Sequence, residues 1–140
     1  MEYKRYGNTV VVRMDPGEEI LEQMEIAAKA EHIQFAAVSA IGAVNDFTVG
    51  LYDVAEKKYF PNRFTGAYEI VSLLGNISTM HGEYYAHLHM AAADGAGRTV
   101  GGHLNRAVIS VTCEMFIMEK EGKLEREKDE KTGINVFRFE

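Results

Sequence analysis

A chain of 140 residues, 46% hydrophobic and 26% charged, has the size and composition of one folded domain with its own core, which excludes an intrinsically disordered segment. Its formal charge of −6 and scattered basic residues exclude the basic stripe that grips phosphates, so direct nucleic-acid binding is expected to be weak or absent. One cysteine excludes an internal disulfide and fits a reducing cytoplasm; no apolar stretch has the length of a membrane span, and "MEYKRYGNTV" is not a signal peptide.

In chain order, "EYKRY" and "TVVVRM" flank Gly7-Asn8, the pattern of a strand, turn and strand. "DPGEEILEQMEIAAKAEHI" predicts one long helix over about residues 16–31. Asp15 is placed to cap it, Pro16 fits the first helical position, and Glu18 completes a capping box. Ile20, Leu21, Met24, Ala27 and Ala28 form its apolar stripe, and His32 falls at its solvent-facing end.

"FAAVSAIGAV", "FTVGLYDV", "KKYF", "AYEIVSLLGNIS", "YYAHLHMAAA" and "AVISVTCEMFIME" then read as strands of about five to ten residues. Within the last, Cys113 reads as a small buried hydrophobe. "DGAGRTVGGHLN" reads as a glycine-rich loop, with room for a short helix; it lacks the Gly-Lys-Ser/Thr ending of a phosphate loop. "KEGKLEREKDEKTG" is as acidic as it is basic and reads as a solvated hairpin or helix end, and "GINVFRFE" as an edge strand. One helix among many strands, without regular βαβ alternation, predicts an α+β domain spanning residues 1–140 around a mainly antiparallel sheet.

The histidines carry the chemistry. On a strand, Tyr85, His87, His89 and Ala91 share one face, while Ala86, Leu88, Met90 and Ala92 form an apolar face for the core. Residues two apart lie roughly 7 Å apart at the backbone, so both imidazoles can reach one ion at about 2.0–2.1 Å. His103 is the third candidate, with Gly101 and Gly102 giving its backbone the freedom to turn back over the strand. Three imidazoles with an open fourth position form the arrangement of a catalytic zinc, one ion per chain. Two half-buried histidines hydrogen-bonded to backbone would account for the H-x-H spacing equally well.

Glu69 opens "AYEIVSLLGNIS" and shares a strand face with Val71 and Leu73, where a carboxylate needs a partner. It is a candidate fourth ligand, ligand-orienting partner or catalytic base, or else a structural carboxylate near a strand start. Tyr85, Asn105 and Arg106 are candidates to line the same cavity.

"FTGAYEIVSLLGNIS", "HLHMAAADGAGRTVGGHL" and "AVISVTCEMF", in that order, resemble the plants-and-prokaryotes-conserved (PPC) domain across essentially the whole chain. The resemblance implies a compact α+β domain that assembles as a trimer. It maps the family's zinc-holding histidines onto His87, His89 and His103. The fold is also similar, remotely, to acetolactate decarboxylase, whose zinc sits on an H-x-H pair and a later histidine; no substrate follows from that. Plant members join the domain to an AT-hook, whose Arg-Gly-Arg-Pro core is missing here. Two functions follow. One is a zinc-binding protein, with catalysis on a small molecule left open. The alternative is a trimeric regulatory or interaction module, labelled DNA-binding by family but lacking the hook.

Overall fold

Tyr6 and Thr9 face each other across a two-residue turn in which Gly7 adopts φ 59°, joining β1 (Glu2–Tyr6) to β2 (Thr9–Met14) as an antiparallel hairpin. The computed structural model describes residues 1–139. Alternation along β2 sends Val10, Val12 and Met14 inward, all fully buried.

The helix is shorter than its pattern predicts. α1 covers Ile20–Ala30, eleven residues, and its N-cap is Glu19, whose carboxylate accepts from the Glu22 N–H at 2.9 Å. Asp15 and Pro16 instead open a turn closed by the Glu18 N–H on the Asp15 carbonyl at 3.2 Å, with Gly17 at φ 88°. That left-handed angle is what a Pro-Gly turn requires and a right-handed helix forbids. Gly17, Glu18 and Glu19 then bond to the backbone of residues 107–109, so their polar groups are spent before the helix begins. The apolar stripe holds: Ile20, Met24, Ala27 and Ala28 are fully buried and Leu21 packs beside them. At the other end His32 takes the left-handed position (φ 56°), while the Ile33 N–H reaches back to the Ala28 carbonyl at 2.9 Å.

The strands are longer than predicted, because segments read as separate are continuous: β3 (Ala36–Asp53), β4 (Lys58–Met80), β5 (Glu83–Ala93) and β6 (Thr99–Glu119). Irregular pairing after Ala40 and Val44 breaks the period-two alternation of β3 without ending it. β4 and β5 meet at a turn whose two central residues, His81 and Gly82, both have positive φ. The predicted glycine-rich loop shrinks to Asp94–Arg98, held by the Asp94 carboxylate on the N–H groups of Ala96 and Arg98, and Thr99–Asn105 belong to β6.

β3 pairs with both β4 and β6, and β5 pairs with both β4 and β6, all antiparallel, so these four strands close a ring. β2 extends β6 on one side. On the other, β7 (Glu125–Lys128) runs parallel to the end of β4 and carries β8 (Asn135–Arg138) as the edge strand. The charged stretch after Glu119 is thus a hairpin, not a helix end. Phe47, Leu73, Ile77, Leu88, Met90, Ile109 and Met115 fill the core against α1 and β2. Cys113 is fully buried among them, and burial pushes its thiol up to about 12, far from a nucleophile's range.

Candidate metal centre

β5 does what its pattern predicts. Leu88, Met90 and Ala92 are buried in the core, and Tyr85, His87 and His89 project from the opposite face. His103 arrives by a different route from the one its glycines suggested. It lies on a regular stretch of β6, directly opposite His89 in the β5–β6 register and opposite Gly50 on β3. A Cβ on Gly101 would stand 2.6 Å from the Met90 carbonyl oxygen, and one on Gly102 the same distance from that of Gly50. The glycine pair therefore permits close approach of β3, β5 and β6 and does not serve as a hinge.

The three rings converge, with centroids 5.1–5.6 Å apart, and one nitrogen from each lies within 4.8 Å of the others. The Nε2 atoms of His87 and His89 are 3.3 Å apart. Two ligands at about 2.05 Å on a tetrahedral ion would be separated by about 3.3 Å, so the pair already has the spacing of adjacent coordination positions. His87 is half-buried, and desolvation, reinforced by His103, Arg126 and His89, pushes its imidazole down to about 4. Burial, then His89, lowers His103. Both are therefore neutral at neutral pH, the form that binds metal. The chain's other two histidines, His32 and His81, are exposed in left-handed turn positions.

The cluster opens on a cavity of about 470 Å³. Tyr59 of β4 forms one wall. Its hydroxyl donates to the Asn105 side-chain oxygen at 2.5 Å, and its ring meets His103 edge-on at 6.0 Å. Tyr85 and Asn135 form another, joined by a 3.2 Å hydrogen bond from the Asn135 amide to the Tyr85 hydroxyl. Behind them Arg126 is 5% exposed; its guanidinium lies over the Tyr85 and Phe137 rings and donates to Ser78, Asn76 and the Asn135 carbonyl.

Of the other candidates, Tyr85 lines this cavity and Asn105 supports it through Tyr59. Arg106 points elsewhere, to Asp46 at 2.9 Å. Glu69 stands outside: it is exposed, pairs with Ala93, and is four residues along β5 from His89. The pairing slip between Ile70 and Ser72 turns Ile70 and Leu73 both inward and leaves Glu69 on the outward face that Ala93 shares with His89. What separates Glu69 from the cluster is distance along the ladder, about 13 Å at about 3.3 Å per residue. Tyr59, Arg126 and Asn135 carry no sequence signal; they reach the cavity only through long-range pairing.

The sequence profile of the Plants and Prokaryotes Conserved (PCC) domain matches residues 1–121. The chain belongs to that family. The three clustered histidines of this PCC domain lie inside the matched span, whereas Arg126 and Asn135 lie beyond it. Its fold coincides with that of a candidate DNA-binding protein from Bacteroides thetaiotaomicron, at TM-score 0.96 and 27% identity over 99% of this chain and 96% of the other. A metal-containing protein from Archaeoglobus fulgidus is similar at TM-score 0.88 and 32% identity, covering 99% and 97%. A PPC protein from Pyrococcus horikoshii is similar at 0.85 and 30%, covering 99% and 94%. Among curated proteins, 132 residues of the PCC domain are 32% identical to part of the bifunctional protein GlmU of Synechococcus sp. (strain JA-3-3Ab); that is 92% of this chain but 20% of the relative. The chain thus spans about a fifth of the length of the curated relatives it matches. No helix among the described residues is long and apolar enough to cross a membrane.

Proposed function

We propose that this PCC domain is a small metalloprotein, holding one zinc ion per chain through His87, His89 and His103, with small-molecule chemistry in the adjoining cavity. The observation that carries the reading is the 3.3 Å separation of two imidazole nitrogens, with a third imidazole converging on them. A metal-containing relative of the same fold at 32% identity supports it. Bound there, zinc supplies a Lewis acid and lowers the pKa of a bound water toward 7. The chain's own residues keep two imidazoles neutral, set Tyr59 and Tyr85 as hydroxyl-bearing walls, and hold the cavity open on one side. Elemental analysis of protein purified without chelator or nickel resin tests the reading: about one zinc per chain supports it, and an empty protein ends it.

The second reading, a homotrimeric interaction module, draws on an exposed apolar strip. Ile41, Val71, Leu74 and Phe116 are each about half or more exposed on the outer sheet face, where Ser39 pairs with Leu74 on one side and Phe116 on the other. A strip of that kind suits burial against copies of the chain. The strip borders the metal cluster, since Leu74 is the direct cross-strand partner of His89 on the same outward face. With a charge of −6 and no hook, DNA binding by this chain alone is weak and non-specific, which a mobility shift at physiological salt checks.

A further inference from the structure

Arg126 is the only charged residue among the described buried ones, and its guanidinium has neutral partners: the Ser78 hydroxyl, the Asn76 amide oxygen and the Asn135 carbonyl. No carboxylate among the described residues lies within ion-pair distance of it. A buried cation is costly unless a counter-charge accompanies it. The cavity in front of it holds no counter-charge either, because none of its lining residues is Asp or Glu.

The placement is specific. Asn76 and Ser78 stand opposite His87 and Tyr85 in the β4–β5 register, so the guanidinium lies beside the first ligand and behind the Tyr85 ring, 4.8 Å from its centroid. Leu51, Val54 and Ile134 give the same cavity an apolar side, and Tyr59 adds a hydroxyl. A volume of about 470 Å³ falls in the small-molecule range.

We infer that the cavity takes a small carboxylate with a short apolar portion, its charge stabilised by Arg126 from behind the wall. This rests on the metal reading for the cation in front and on Arg126 for the one behind. Arg126 is a positioning and field-setting residue, since Tyr85 stands between it and the ligand.

The probes are propionate and its neutral isostere propionamide, titrated into cobalt(II)-substituted protein and followed by the visible bands of the metal. Propionate should perturb the bands and propionamide should not at equal concentration. Arg126→Gln should weaken propionate by at least about tenfold, the size one charge commands in a partly screened site. The same variant should bind cobalt as tightly as before or more tightly, because a repelling cation has gone. Arg126→Lys, which keeps the charge, should recover most of the propionate affinity. Loss of cobalt and propionate together in Arg126→Gln, or equal response to both probes, overturns the inference. If the unaltered protein binds no cobalt, the metal reading fails instead. Histidine ring shifts of the metal-free protein then decide the anion question, and no preference for propionate over propionamide overturns it.

Discussion

His89 and His103 stand directly opposite each other across the β5–β6 ladder, with ring centroids 5.6 Å apart and planes nearly perpendicular. Opposite positions in an antiparallel pair bring Cβ atoms to about 4.5–5.5 Å, so two histidines 14 positions apart become neighbouring ligands from regular strand positions once the Asp94–Arg98 loop turns the chain back. His87 completes the triangle from one step along the same strand face.

Removing one corner should empty the site. His89→Ala is expected to drop bound zinc from about one ion per chain to near zero, and His32→Ala, at the end of α1, to leave it unchanged. Elemental analysis after identical purification checks both; equal loading in the two variants would return these histidines to the fold alone.

Acid should release the metal through a defined window. An ordinary imidazole titrates near 6.5, but burial and the neighbouring rings hold His87 down at about 4, so protons compete for it later than usual. Release is expected to begin below about pH 6 and to finish only as the pH nears 4. A metal-sensitive dye titrated against pH reads this directly, and retention below pH 4 would contradict it.

Gly75 is a steric requirement of the site. A Cβ there would meet the His87 carbonyl oxygen and come 2.7 Å from the Leu88 Cα, across the β4–β5 pair that carries the ligands. Gly75→Ala is expected to cost about 1–3 kcal/mol in chemical unfolding. Gly95→Ala, where an added Cβ meets nothing within 4 Å, should be close to neutral.

Asp46 sets an acid limit on stability. Arg63 first, then Arg106, hold its carboxylate at about 2, against an ordinary 3.8. Because the folded value is depressed, its contribution is complete above pH 3.8 and is lost as the pH falls through 2. Asp46→Asn should therefore flatten the stability profile between those values, measured by urea unfolding at each pH.

Self-association is expected through the outer strip. Sedimentation should give a trimer at micromolar concentration, and Leu74→Glu, which puts a charge on that face beside Ser39 and Ile41, should shift it toward monomer. A wild-type monomer would remove this proposal.

What the sequence by itself determined is what local periodicity encodes: the apolar stripe of α1, the buried face of β5 with its histidines on the other side, and the buried Cys113. The motif order identified the family, because the spacing of H-x-H and G-G-H-L is a chain property. The tertiary structure decided the rest. Pro16 and Gly17 made a turn because the backbone after them pairs with β6, a contact some 90 residues away. Glu69 shares the histidines' face but pairs with Ala93, four residues along β5 from His89, and the register that puts it there is not written in the alternation of its own strand. Tyr59 and Asn135 became cavity walls, and Arg126 their backing, only when β4 paired with β3 and β7 carried β8 alongside β4, since which distant strands meet depends on long-range pairing and not on any residue's neighbours in the chain.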